Sequence, residues 1–137
     1  MIDFTACEEG LLALLEPLRQ NGILCRAMPD EANAFGLPDA YPAVITVALA
    51  AIKPSDRPSM DLKVQARRYE IVCDLRAKVL RGPTGMYQLP DQLEAAMQGK
   101  VVPGLGRLEI VDFVFQDRTA DYWGGEVRFK VQVIDRM

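Results

Sequence analysis

Histidine is absent from this chain, and its absence excludes more chemistry than any other feature of the composition. Without an imidazole there is no serine–histidine or cysteine–histidine nucleophile pair, no histidine general base and no histidine zinc ligand. Two carboxylate pairs remain, Glu8–Glu9 and Asp30–Glu31, but neighbours on a helix or in a loop do not face each other as an acid and a base must. We therefore expect a protein that is not an enzyme, with no catalytic residues, no metal ligands and no cofactor.

Cysteine is also scarce. The three cysteines, Cys7, Cys25 and Cys73, are an odd number at wide spacings, which matches neither a disulfide framework nor a paired metal site. Cys25 and Cys73 fall within apolar strand patterns, so we interpret the cysteines as small buried hydrophobes. Free thiols of this kind predict a reducing compartment.

Long apolar runs and a charge excess of one sign are missing as well. The longest apolar run, Ala43 to Ile52, is too short for a membrane helix of about 20 residues, and the N-terminus has no positive region ahead of an apolar one. The 16 basic and 19 acidic residues are mixed along the chain, so no basic stripe is available for phosphate backbones. We expect no membrane partner, no export signal and no recognition of a nucleic-acid sequence.

The composition is that of a folded protein, with 50% hydrophobic and 26% charged residues. A chain of 137 residues is long enough for one hydrophobic core, whereas two cores would each be marginal. The sequence predicts a single domain spanning residues 1–137.

The first helix is predicted from Thr5 to Gln20, where leucines recur on one helical face. Thr5 and Glu8 resemble a capping box at its start. Pro17 lacks an amide donor and predicts a kink, and Asn21-Gly22 supplies the left-handed end.

A second helix is opened by Pro90 and ends at Gly99, and its apolar residues share one face. The turn from Pro103 to Gly106 follows. It contains glycines but neither the dinucleotide fingerprint nor the phosphate-loop lysine, so we interpret it as a simple turn.

The remaining patterns predict strands separated by turns, with a surface loop from Pro29 to Pro42. The apolar run from Ala43 to Ile52 is typical of a central strand covered on both faces. The strand segments are Ile23 to Met28, Ala43 to Ile52, Leu62 to Leu80, Leu108 to Phe115 and Glu126 to Arg136.

Two of these strands are irregular. The 19 residues from Leu62 to Leu80 would span about 60 Å when extended, so we expect a bend, a bulge or a strand that projects beyond the core, with a break at Arg67-Arg68. Between Leu108 and Phe115 the apolar phase inverts, which predicts a bulge near Ile110–Val111. Together the elements predict an α+β fold, in which a mostly antiparallel or mixed sheet is flanked by two helices and ends in a C-terminal β-hairpin.

Two features indicate possible subunit contacts. Alternating charges from Arg68 to Lys78 form either a solvated sheet face or a polar interface, and the connection Asp117 to Gly125 carries Tyr122 and Trp123, which either fold over the core or contact a partner. Long strands with open edges also permit assembly by edge pairing. The candidate interface residues are Arg67, Arg68, Arg76, Lys78, Asp117, Arg118, Asp121, Tyr122 and Trp123.

The order of these elements resembles that of the tail terminator proteins of long-tailed bacteriophages, in particular the branch found in Mu-like contractile phages. The likeness runs through the apolar first helix and the segments Ala43 to Ile52, Leu89 to Gly106 and Glu126 to Arg136. It covers nearly the whole chain and contains no invariant motif, so it transfers no site residues.

The resemblance implies a hexameric homo-oligomeric ring that caps the head-proximal end of the tail tube and ends polymerisation of the tube and sheath. The implied partners are other copies of the chain, the tube protein, the sheath protein and a neck or connector protein, with DNA able to pass through the ring. The implied location is the virion tail or neck, after assembly in the host cytoplasm. Another neck, tail-completion or baseplate component, and a small non-catalytic ligand-binding α+β module, are the alternatives.

Overall fold

A computed structural model describes residues 4–30, 41–54, 64–116 and 122–136, of which 51–54, 64–68 and 132–136 are described by their strand pairing alone. The helices are α1 (Phe4–Leu14), α2 (Glu16–Gln20) and α3 (Leu89–Met97). The strands are β1 (Leu24–Ala27), β2 (Ala43–Pro54), β3 (Val64–Ala77), β4 (Val101–Val102), β5 (Gly106–Arg107), β6 (Glu109–Gln116) and β7 (Trp123–Arg136).

Five strands form one mixed sheet in the order β1-β2-β3-β7-β6, while β4 and β5 pair separately. The β1–β2 pair is parallel and the other pairs are antiparallel. The α+β class and the terminal hairpin, formed by β6 and β7, are therefore confirmed.

One face of the sheet carries the core, and the other, which we call the outer face, is mostly polar. Because side chains alternate along a strand, β3 turns every second residue from Tyr69 to Ala77 toward the core. The three helices pack on this face through buried apolar side chains of α1, α2 and α3. In β2, residues 43–47 are buried on both faces, as the apolar run predicts.

The predicted break at Arg67-Arg68 is wrong. β3 pairs with β7 in unbroken register from Val64↔Arg136 to Ala77↔Trp123, and the register shift occurs on β2, between Leu49 and Ala51. β3 is hydrogen-bonded to a strand on each side and keeps its core-facing residues in one continuous alternation. The irregularity therefore lies on the neighbouring strand β2.

The long strand also ends earlier than predicted, at Ala77 rather than Leu80. Beyond Ala77 the amide of Lys78 donates to the carbonyl of Pro42. The chain then folds back on itself, because the amides of Met86 and Tyr87 donate to the carbonyls of Val79 and Leu80. The carbonyls of Val79 and Leu80 accept hydrogen bonds within this local turn, so they are not available to extend β3.

The bulge predicted in β6 is confirmed. Ile110 pairs with Phe129 and Asp112 with Arg128, so Val111 is the extra residue. Because of this insertion, Ile110 and Phe113 lie on the same face of the sheet although they are three positions apart.

The first helical segment is broken into two helices rather than being the single helix predicted. α1 ends at Leu14 and α2 begins at Glu16, which places Pro17 in a first turn, where its missing amide proton needs no partner. The capping box is not formed, since the helix already includes Phe4 and Thr5 lies within it. The predicted end is confirmed by Gly22, whose φ is +87°.

The second predicted helix is confirmed as α3. Pro90 lies in its first turn, and Leu89, Leu93 and Met97 form its buried face. The left-handed Gly99, at φ +74°, follows its C-terminus. Within the described ranges, no helix is long and apolar enough to cross a membrane.

All three cysteines are free thiols and buried, as expected. Burial raises the pKa of Cys25 to about 11, against the opposing charge of Arg19. Burial likewise raises the pKa of Cys73, whose Sγ lies 4.0 Å from Sδ of Met97. The thiolate is the reactive form of cysteine. Burial therefore makes Cys25 and Cys73 unreactive in two ways, because it blocks access to the sulfur and keeps the thiol protonated.

We predict that the native protein reacts slowly with a thiol reagent at pH 8, and that all three thiols react at once when it is unfolded in guanidinium. Absorbance titration with an aromatic disulfide measures both. Rapid reaction of one thiol in the native state would contradict the burial of that cysteine.

A second prediction concerns Tyr69, which is 1% exposed and whose hydroxyl has no hydrogen-bond partner among the described residues. A buried unpaired hydroxyl costs about 1–3 kcal/mol. Tyr69→Phe keeps the ring and should raise the free energy of unfolding by about 1 kcal/mol, whereas Tyr69→Ala should lower it by about 3–5 kcal/mol through the cavity it leaves. Urea denaturation compares the three proteins, and a Phe variant that is clearly less stable would show that the hydroxyl is satisfied.

Candidate interaction surfaces

The residues predicted to form an interface are placed in different parts of the molecule. Asp117, Arg118 and Asp121 lie outside the described residues. Arg67 and Arg68 are on β3, opposite Val133 and Gln132 of β7. Of the others, Lys78 is exposed just after β3, while Arg76, Tyr122 and Trp123 are partly buried.

Arg76 belongs to a polar cluster on the outer face. Its Nε donates to Oδ2 of Asp74 at 2.9 Å, and both side chains are only 15% exposed. Its guanidinium also lies over the ring of Tyr122, with Cζ 4.8 Å from the ring centroid, within cation–π distance. The structure thus brings two of the predicted residues together, Arg76 and Tyr122, and both make contacts within their own chain.

The cluster continues across the sheet because the strand register aligns Arg26, Thr46, Asp74 and Glu126 in one row. Nε of Arg26 donates to Oγ1 of Thr46 at 3.2 Å. At the β7 end of the row, Nε of Arg128 donates to Oε1 of Glu126 at 2.7 Å. A cross-strand pair such as Arg26–Thr46 stabilises the two neighbouring strands that it joins.

Burial dominates the titration of Asp74 and Arg26 in this cluster. It raises the pKa of Asp74, and the charge and hydrogen bond of Arg76 only partly oppose that rise. Burial also lowers the pKa of Arg26, an effect to which the positive charge of Arg76 adds. The shared cause is the cost of removing charged groups from water.

Trp123 lies in a strand rather than in the predicted connection. It is the first residue of β7 and pairs with Ala77, and Gly124 and Gly125 continue the strand, so the predicted Asp117 to Gly125 loop is too long. The side chain of Trp123 packs against the core. Of the two alternatives for this residue, the structure shows the one in which the ring folds onto its own domain.

A second surface was missed by the sequence patterns. Tyr87, Phe113 and Phe115 form a continuous row of rings that we call the aromatic strip. Phe113 and Phe115 have centroids 4.7 Å apart, and Tyr87 meets Phe115 edge-on at 5.9 Å. Tyr87 is 50% and Phe115 51% exposed, and such contiguous exposed apolar groups commonly mark interaction sites.

The strip is exposed because it lies at the edge of the sheet. Phe113 covers Gly125 of the neighbouring strand so closely that a Cβ there would lie 2.8 Å from its ring. Glycine at 125 therefore lets the ring of Phe113 lie against the backbone of β7. Phe115 lies two residues farther along β6, where the core no longer covers the strand, and its ring is half exposed.

The two edges of the sheet differ in how they are covered. β1 has only four residues, and its Cys25 carbonyl accepts a hydrogen bond from Nη2 of Arg19 at 2.9 Å. On β6 the Ile110 amide donates to Oε1 of Gln98 at 2.6 Å. After this point, in the described part of the chain, the backbone of residues 112–116 bonds only to β7. The open stretch of edge therefore lies beside the aromatic strip.

A shallow groove of about 270 Å³ lies between α2 and α3, and we call it the helix groove. It is mainly apolar. Its walls are formed by Pro17, Leu18, Asn21, Gln92, Ala95 and Ala96. No group of three metal-binding side chains is found among the residues whose positions are described.

The raised pKa of Asp74 gives a pH-dependent prediction. Since the folded pKa lies above the ordinary value of 3.8, the folded protein binds this proton more tightly than the unfolded chain does. The resulting stability is present below pH 3.8 and is lost as the pH rises through the folded pKa. Asp74→Asn cannot lose a proton, so its stability relative to the wild type should improve between pH 3.8 and neutrality.

Urea denaturation at several pH values measures the difference in the free energy of unfolding between Asp74→Asn and the wild type. The other carboxylates are common to both proteins, so their titration cancels in this difference. Asp112→Asn is the matched control, because it removes one exposed carboxylate from the same face. A difference that runs in the opposite direction would mean that the attraction of Arg76 outweighs the burial of Asp74.

Comparison of the sequence with protein-family models and with curated proteins finds no match.

Proposed function

We propose that this chain is a structural subunit of a bacteriophage tail, a tail terminator that assembles into a hexameric ring. The ring caps the head-proximal end of the tail tube, ends polymerisation of tube and sheath, and provides the joint to the neck or connector. The proposal combines the resemblance in element order with one observation, the aromatic strip beside the open edge of β6.

The strip has the size expected of one contact among several in a subunit interface. Covering the exposed halves of Tyr87 and Phe115 would remove about 200 Å² from water, worth about 5 kcal/mol. Association costs about 4–15 kcal/mol in lost freedom, so the strip supplies a large part of that cost and further contacts supply the rest. In a ring each subunit contacts two neighbours, so the whole assembly is more stable than a single contact would be.

The polar outer face is the surface we assign to partners other than the ring neighbours. Glu126, Arg128 and Lys130 are presented there on β7, between β3 and the edge strand β6. Ion pairs link Arg128 to Glu126 and Lys130 to Glu109, which fits a wetted contact with tube or neck proteins better than a dry subunit core. Arg67, Arg68 and Lys78 remain candidates for the same contacts.

The proposal predicts that the wild-type protein forms rings and that Phe115→Ser prevents it. The substitution removes about 2 kcal/mol per interface, or roughly a 30-fold weaker contact. The fold should persist, because Phe115 is an exposed edge residue. Native mass spectrometry and negative-stain electron microscopy measure assembly, and circular dichroism measures the fold.

Val101→Ser is the matched control, since Val101 is 56% exposed on β4 and lies outside the strip. It should leave assembly unchanged. Normal rings from the Phe115 variant would remove the strip from the interface. A wild-type protein that stays monomeric at tens of micromolar would overturn the tail-terminator proposal itself.

A further inference from the structure

We propose that Asp74, Arg76 and Tyr122 form an acid-sensitive switch on the outer face, in which the charge of Asp74 holds Arg76 against the ring of Tyr122. Tyr122 immediately precedes β7, so the switch acts where the chain enters the terminal strand. The switch is a property of one chain and does not require the ring. It rests on the proposed function only for its consequence, which is that acid changes the surface assigned to tube and neck proteins.

Two contacts of Arg76 build the switch. Its Nε donates to Oδ2 of Asp74 at 2.9 Å, and its Cζ lies 4.8 Å from the centroid of the Tyr122 ring. A guanidinium group is planar and rigid, so a hydrogen bond at one of its edges also fixes the face that it presents to a neighbouring ring. Asp74 therefore sets the position from which Arg76 contacts Tyr122.

The neighbouring strands place further charges around Asp74. In its row across the sheet, Arg26 lies on β1 and Glu126 on β7. Burial raises the pKa of Asp74, the charge and hydrogen bond of Arg76 oppose that rise, and the charge of Glu126 adds to it. The charge of Arg26 also opposes the rise. Asp74 is thus the negative charge that two guanidinium groups share, and these two groups repel each other.

Protonation of Asp74 removes this shared charge and weakens the hold on Arg76 in two ways. A hydrogen bond to an ionised acceptor is about twice as strong as one between neutral groups, so the bond from Arg76 loses strength. The repulsion between Arg26 and Arg76 is then no longer offset, and Arg76 moves away from Tyr122. Because the pKa of Asp74 in the folded protein lies above the ordinary value of 3.8, this change occurs at a higher pH than the titration of an exposed aspartate.

Tryptophan fluorescence of the full-length protein tests the switch. Trp123 is the only tryptophan of the chain, so Tyr122→Trp combined with Trp123→Phe moves the indole onto Arg76, where it keeps the cation–π contact. The emission of this probe protein should shift to longer wavelength as the pH falls from neutrality, with a midpoint above pH 3.8, while circular dichroism shows an intact fold. The wild-type protein, in which Trp123 adjoins Tyr122, should give the same midpoint through its own emission.

Two neutralising substitutions in the probe protein identify the group that titrates. Asp74→Asn keeps the shape of the protonated side chain, so it should show at neutral pH the emission that the probe protein reaches in acid, and it should lose the response to pH. Glu126→Gln is the matched control, because it removes the neighbouring carboxylate of the same row. It should keep the response, with a midpoint at lower pH, since the charge of Glu126 raises the pKa of Asp74.

Each contrary outcome is distinct. A folded probe protein whose emission does not respond to pH would overturn the switch, as would a response that persists in Asp74→Asn. If acid unfolds the protein before the transition, the comparison at neutral pH decides, and equal emission from Asp74→Asn and the probe protein would overturn the switch. A wild-type chain that forms no rings would overturn the proposed function alone, because the switch is measured within single chains.

Discussion

The pairing of β3 with β7 is the constraint on which the rest of this structure depends. It joins residues that are 46 to 72 positions apart, and it holds an unbroken register over fourteen positions, from Val64↔Arg136 to Ala77↔Trp123. A shift by one residue would turn Tyr69, Ile71, Cys73 and Leu75 away from the helices and expose the core. The irregularities are therefore confined to the flanking strands, one on β2 and one on β6.

The same register organises the outer face. By aligning Arg26, Thr46, Asp74 and Glu126 in one row, it brings charged groups close enough to pair while neighbouring side chains limit their contact with water. Burial raises the pKa of Asp74 even though Arg76 lies 2.9 Å away. Arg76 offsets part of the free-energy cost of burying Asp74, and the ion pair is not a source of net stability.

The edge of the sheet has a different physical problem. Among the described strands β6 is the last one of the sheet, so one of its sides has no strand neighbour there, and its apolar residues after the bulge lie on both faces. Proteins usually blunt such an edge with charges or cover it, and here β1 is short and capped by Arg19. The exposed Phe115 at this edge, with Tyr87 packed against it, is the feature on which the proposal of assembly rests.

Local patterns in the sequence determined the element types, the α+β class, the buried face of each regular strand, the bulge at Val111, the end of the first helical segment at Gly22 and the burial of the cysteines. Each of these follows from side-chain periodicity or from the backbone chemistry of proline and glycine, which act over a few residues. Only the tertiary structure decided where β3 ends, that Trp123 belongs to a strand, and that the β2 ladder carries the irregularity expected at Arg67-Arg68. Those outcomes depend on hydrogen bonds to distant partners such as Pro42. The aromatic strip was also beyond local patterns, because Tyr87 and Phe115 are far apart in sequence and become one surface only when β6 takes the edge of the sheet.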